Sequence, residues 1–440
     1  MKNKILIMIL VVISSVTLYG CSRSKPLVIW VGAEVQDFFQ EKMEEYVIMF
    51  EEREGRAFPF EVQVRAADTG TAAGTFLDDM DAGPDILTVA HDNLGRLLSG
   101  AGAIRPIQNE ALIAQIEATN PQAFIDVIRA DVQGQSFLFG VPYEAQSLIL
   151  YYNRNYLSAE DVETWEGIWE VAQTNNVRSL SITGADGFNN SFLVLASDAE
   201  TGERFVRLYE EGVLENTEFV NDEMISIVRW GQAFFSHPNG ARLASDSGWE
   251  ADLRTGTSLT VIGGAWHFRA AQAALGNDLG VAKLPRFTIT EDHAHGSVSP
   301  NTVMQSGSFT DTKMFVMNRS SDKLEYLEDI LLFLTTPEVQ EQSFLRNQTL
   351  PAYKNALESF EGMTADTIQG QLILAQLEMF NHGIPQPFGR EARFNVFYYQ
   401  RQAPDRLLAI FRNTNNQFNT VESIIEEMNL IERIWLGERP

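Results

Sequence analysis

The sequence holds one cysteine, Cys21, in 440 residues. That excludes an internal disulfide and any zinc site built on several thiolates. Basic residues are scarce as well. Lys and Arg number 33 against 59 Asp and Glu, for a formal net charge of -26. This balance argues against DNA, RNA or anionic lipid as the main partner, because phosphate binding needs clustered basic groups. Beyond residue 20 no apolar run is long enough to span a bilayer. There is no tandem repeat, no low-complexity tract, no phosphate loop, no Gly-x-Ser-x-Gly elbow and no His-Glu-x-x-His. The two histidines of Glu291-Asp292-His293-Ala294-His295 have no further ligand set nearby and read as an exposed loop. No metal and no cofactor is expected.

What is present suits a globular chain. Hydrophobic residues make up 45% and charged residues 21%, enough for a core and a solvated surface. The length is too great for one small domain and fits two of ordinary size. Residues 1–20 pair Lys2 and Lys4 with an apolar stretch from Ile5 to Ile13, which reads as an export signal. Leu18-Tyr19-Gly20-Cys21 resembles a bacterial lipobox, in which Cys21 is lipidated and becomes the mature N-terminus. Acyl chains on Cys21 would anchor the chain without a spanning helix, and residues 21–25 would serve as a tether. The competing reading is a secreted protein with a stray cysteine near the cut.

The pattern along the chain alternates strand and helix. Leu27–Val31 is an apolar run fit for a buried strand, and 34–53 has helical spacing of Phe38, Phe39, Met43, Tyr46, Val47 and Phe50. Strands are predicted over 60–64 and 86–89, with helix over 75–80 and from Leu94. Two strand-like stretches flank Pro142. Helices are predicted over 165–173, 202–211, 225–235, 325–335 and 339–344, and strands over 259–262 and 313–317. The tail from Ala365 reads as mainly helical, with a break at 383–389. This rhythm favours an α/β fold with a parallel sheet.

Four segments carry a family resemblance: LVIWVGAE (27–34), GPDILTVAHDNLG (83–95), VPYEAQSLILYYNRNYL (141–157) and EADLRTGTSLTVIGGAWHF (250–268). In this order and spacing, after an export signal, the chain resembles the family 1 extracellular solute-binding proteins of ABC importers. The resemblance implies an α/β fold of the two-lobed periplasmic-binding-protein type (type II). The ligand would sit in the interlobe cleft, and the chain would cross between lobes three times. It implies an N-terminal lobe of 26–144 and 310–349 and a C-terminal lobe of 145–309 and 350–440.

Sugar recognition needs aromatic faces against the ring and planar polar side chains for its hydroxyls. By the resemblance, Trp266 occupies a stacking position, with a core tryptophan as the competing reading. Asp92 matches a sugar-contacting aspartate, and otherwise reads as a helix N-cap. Asn93 stands where a sugar-binding family member has arginine, and Val89 where it has a stacking tryptophan, which disfavours a long maltodextrin. Glu34 matches a family acid, and otherwise favours the first turn of the following helix. Gln146 stands where the family has a glutamate, with Tyr143 and Glu144 as neighbours able to serve instead. Phe188 and Phe388 match aromatic positions near the cleft. Trp249 and His267 adjoin these segments.

The resulting expectation is a monomeric, exported, lipid-anchored binding subunit on the periplasmic or extracellular face of the cell membrane. It would deliver a solute, an oligosaccharide or glycoside, to ABC permease subunits and perform no chemistry. The competing classes are a surface glycoside hydrolase using two carboxylates and a sensing or adhesion lipoprotein of the same fold.

Overall fold

The computed structural model describes residues 25–100, 102–183, 189, 191–203, 205, 219–244, 248–354, 356, 366–386 and 403–435. Cys21, Phe188, Phe388 and most of the helix predicted over 202–211 lie outside them.

The first sheet is built on β1 (Leu27–Val31), β2 (Val62–Ala66) and β3 (Ile86–Ala90). Both β2 and β3 run parallel to β1. Leu27, Ile29 and Val31 are fully buried. Between β1 and β2 lies α1 (Gln36–Glu54), which buries Phe38, Phe39, Met43, Tyr46 and Phe50 along one stripe and ends at Gly55 in the left-handed region. Strand β2 begins two residues later than the pattern predicts. Phe60 is instead drawn into an aromatic cluster with Phe58 and Tyr326. The helix predicted over 75–80 spans Ala72–Asp78, because Asp68 already closes a turn by accepting the Thr71 backbone N–H.

Two strands mark the passage between lobes. β4 (Val141–Gln146) contains Pro142, which is tolerated because β4 has a partner strand on one side only and is bridged on the other just at Glu144–Pro351. Ser147 and Leu148 then lead directly into β5 (Ile149–Asn153) of the second sheet. That sheet continues with β6 (Arg178–Thr183), β7 (Ala241–Ala244), β8 (Ser258–Gly263) and β9 (Leu279–Ala282), in the order β7-β6-β8-β5-β9. Strands β6, β7 and β8 are mutually parallel, while β5 runs antiparallel to β8 and β9. Helices α2 (Trp165–Asn175) and α3 (Asp222–Ser236) cover it. Their first turns are capped by the Thr164 and Asn221 side chains. The short α4 (Phe268–Leu275) follows β8.

The chain returns through β10 (Ser308–Met317), which is fully buried and twice as long as the strand predicted from 313. It runs antiparallel to both β3 and β4. Helices α5 (Leu324–Leu334) and α6 (Pro337–Asn347) follow, then α7 (Ile368–His382) and the short β11 (Gly383–Pro385), parallel to β10. The first sheet thus reads β11-β10-β3-β1-β2, with β4 also on β10. The sheets are mixed rather than purely parallel. Buried apolar side chains form two separate clusters, one around each sheet, so the molecule is an α/β protein of two lobes.

Candidate ligand-binding site

Between the lobes lies a cavity of about 580 Å3. Its walls are the loops at the carboxyl ends of the parallel strands, where open α/β sheets bind ligands. From the first lobe come Gly32 to Glu34 after β1, Ala66 to Gly70 after β2, and Ala90 at the end of β3. The crossing strands supply Gln146, Asp311 and Lys313, and the second lobe supplies Trp266. A hollow of similar volume near Arg105 and Arg319 draws its walls from the first lobe alone.

The floor is set by the β4–β10 ladder. Glu144 stands opposite Lys313 and Gln146 opposite Asp311, so the four side chains share one face. Lys313 Nζ donates to Glu34 Oε1 at 3.1 Å and lies 3.2 Å from Glu144 Oε1. Gln146 Nε2 donates to the same Glu144 oxygen at 3.0 Å. Burial alone would raise the Glu34 carboxyl, but the Lys313 ammonium, a backbone hydrogen bond and Arg269 together hold the group below its ordinary value. Glu144 is only 1% exposed, and there burial prevails over Lys313 and pushes the carboxyl up. Burial would lower the Lys313 ammonium, but Glu144, Tyr143 and Glu34 together drive it far above the usual lysine range.

Trp266 forms the opposite wall. It sits in a 3-10 turn, Ala265–His267, directly after β8, and is 38% exposed, unlike the buried Trp165, Trp230 and Trp249. The glycines before it are required by close approach. A Cβ on Gly264 would overlap the indole ring, and one on Gly263 would overlap the His267 imidazole. His267 packs at a tilt against Trp249, with ring centroids 4.6 Å apart, and lies 5.8 Å from the Trp266 ring. Burial pushes its imidazole down to about 4, so it is neutral at physiological pH.

The other sequence candidates fall elsewhere. Asp92 and Asn93 are buried in the 3-10 turn after β3, where the cavity wall is Ala90. Asn93 Nδ2 donates to Asp92 Oδ1 at 2.9 Å, and the N-cap position of the following short helix, Leu94–Leu98, is held by Asn93 rather than Asp92. The Tyr143 ring points away from Glu144 and Gln146, as strand alternation requires, and packs between Phe39 and Phe315 in the first core. Sequence reading missed Asp311, Lys313 and Asp68. The first two were signalled by charged residues in SFTDTK, immediately before an apolar strand. The Asp68 loop gave no signal.

Comparison with known proteins adds the following. Residues 45–369 match the family described as bacterial extracellular solute-binding protein. Among curated proteins, none matches this sequence. The maltodextrin-binding protein of L. casei, solved without ligand, aligns over 93% of this chain and 99% of its own, with TM-score 0.70 and 17% identity. A structure solved with acarbose aligns over 94% and 99%, with TM-score 0.73 and 17% identity. The GacH receptor of Streptomyces glaucescens was solved unliganded and with acarbose and an acarbose homolog. It aligns over 94% and 100%, with TM-score 0.68 and 15% identity. At such identities the likeness speaks for the two-lobed fold, and the family match over most of the chain speaks for the class. The chain belongs to the bacterial extracellular solute-binding proteins.

Proposed function

We propose that this protein is the substrate-binding subunit of an ABC importer and that its solute is a carbohydrate. The observation that carries this reading is the cavity itself. A half-exposed indole on one lobe faces Glu34, Gln146, Asp311 and Lys313 on the other side. An aromatic face takes the apolar C–H side of a sugar ring, and the planar polar groups exchange hydrogen bonds with its hydroxyls. The names of the structurally similar proteins, which mention maltodextrin and acarbose, support the same class. Phe188 and Phe388, outside the described residues, are proposed to add aromatic surface, and Asp92 and Asn93 to support the wall from behind.

In this reading the lobes are 26–144 with 310–349, and 145–309 with 350–440. They close over the solute by bending at the crossing strands, and a membrane permease receives the closed form. The protein acts as a monomer and performs no chemistry. Export is implied by the family. Among the described residues no helix is long and apolar enough to cross a membrane, and we infer that a lipid on Cys21 holds the chain to the cell surface.

A thermal-shift screen against mono- and oligosaccharides tests the binding claim, because a ligand that binds only the folded state raises the melting temperature. Failure of every saccharide to raise it would remove the carbohydrate reading. Membrane fractionation tests the anchor. Cys21→Ser should move the protein to the soluble fraction or leave it unprocessed; a mutant cut at the same place and still wholly membrane-bound contradicts the anchor.

A further inference from the structure

One buried pair beside the cavity has a proton inventory set by its geometry. His91, in the turn after β3, is 1% exposed. Its Nδ1 lies against Asp311 Oδ1, and its Nε2 faces the Gln386 backbone carbonyl at 3.1 Å. A carbonyl oxygen can only accept, so Nε2 carries a proton. An ionised carboxylate also only accepts, so a proton must lie between Nδ1 and Asp311. The Thr312 backbone N–H, 3.4 Å from Nδ1, is the weaker claimant on that nitrogen. The pair therefore holds two protons, as an imidazolium facing a carboxylate. Among the described residues the charged groups acting on the ring are Asp311 from β10 and Asp92 from its own turn; the segment after β11 presents the Gln386 carbonyl. Burial would lower the imidazole, but Asp311, with Asp92 and the Gln386 carbonyl, raises it above its ordinary value of 6.5.

Asp311 is also one of the cavity-lining acids. Its second oxygen accepts from Gln386 Nε2 at 3.3 Å, so two separate chain segments fix its orientation. Lys313, two residues along the strand, is already engaged by Glu34 and Glu144.

We propose that His91 is a positioning residue for ligand binding: while doubly protonated it holds the Asp311 carboxylate in the orientation that meets a hydroxyl of the bound solute. This rests on the carbohydrate reading above. When the ring loses a proton, Nε2 keeps its hydrogen for the Gln386 carbonyl, and the Nδ1 lone pair then confronts the carboxylate. Asp311 turns away and the ligand loses its acceptor. Affinity is therefore full at lower pH and falls as pH rises through the ionisation of His91.

Two readouts test this. Ring 15N spectra of the ligand-free protein, with His91 assigned by comparison with His91→Gln, should show both nitrogens protonated at about pH 7. A neutral ring there overturns the proposal. Calorimetric titration with the saccharide that most stabilises the wild type, carried upward from about pH 6 as far as the protein stays folded, should show Kd rising about tenfold. His91→Gln should bind weakly and without that pH dependence. Gln386→Leu keeps the backbone carbonyl for His91, so it should weaken binding yet retain the pH dependence. Wild-type affinity and pH profile in His91→Gln would overturn the role, as would a flat wild-type profile if that variant does not fold. A doubly protonated ring in a protein that binds no saccharide would remove the carbohydrate reading and the positioning role with it, leaving the proton pair intact. A neutral ring in a protein that does bind would remove the positioning role alone.

Discussion

Lys313 concentrates the electrostatics of the cleft in one side chain. It is a buried ammonium between a nearly inaccessible carboxylate, Glu144, and a partly exposed one, Glu34. Removing one partner of a buried ion pair leaves the other charged and unsolvated, which typically costs about 3–5 kcal/mol. Lys313→Met should lower stability by about that amount, measured by denaturant unfolding, with Glu144 as the main cause because Glu34 can still reach water. Adding Glu144→Leu should restore part of the loss, since the uncompensated buried charge is then gone. A single mutant as stable as wild type would mean that Glu144 already carries a proton in the native protein. Burial pushes it in that direction, and Lys313 opposes it.

At the level of elements, the informative unit is β8 with its Gly-Gly ending. Gly264 has φ −90°, a backbone that any residue adopts, so only the indole lying over it requires glycine. Gly264→Ala should therefore displace Trp266 and weaken ligand binding by roughly 1–3 kcal/mol, with the fold retained by circular dichroism. Unchanged affinity would show that the indole's position does not matter. This unit was legible in the sequence: an apolar run, two glycines and a tryptophan specify a strand, a sharp exit and an exposed ring. Strand β10 was half legible. Its end from Lys313 to Met317 declares itself, whereas Thr310, Asp311 and Thr312 look like loop residues. They are buried because cross-strand partners and the cavity satisfy them. The pairs Glu34–Lys313 and His91–Asp311 join residues more than 200 positions apart, and local pattern holds no record of such contacts. The placement of Tyr143, by contrast, follows from alternation once Glu144 and Gln146 are put on the cavity face.

For the whole molecule, function depends on how the two lobes meet. Besides the crossing strands, Arg269 on α4 reaches over to the end of α6, donating to the Arg346 carbonyl at 3.0 Å and to Asn347 Oδ1 at 2.9 Å. A cation at a helix carboxyl end is favoured by the unsatisfied carbonyls there. The contact ties the second lobe to a helix packed on the turn that carries Glu34. Arg269→Ala should loosen this contact between the lobes and weaken affinity by about 1 kcal/mol, with a larger radius of gyration by small-angle scattering; an unchanged radius and affinity would deny the contact any part in holding the lobes together. The central claim, that a carbohydrate binds between the lobes against Trp266, is tested most directly by calorimetric titration of the wild type and Trp266→Ala with the same saccharide at a temperature where both are folded, with the melting temperature of each measured separately. The account predicts saturable binding to the wild type, a loss of roughly 1–3 kcal/mol in the mutant, and nearly equal melting temperatures without ligand. Equal affinity in the two proteins, or a mutant whose only defect is a large fall in melting temperature, would contradict it.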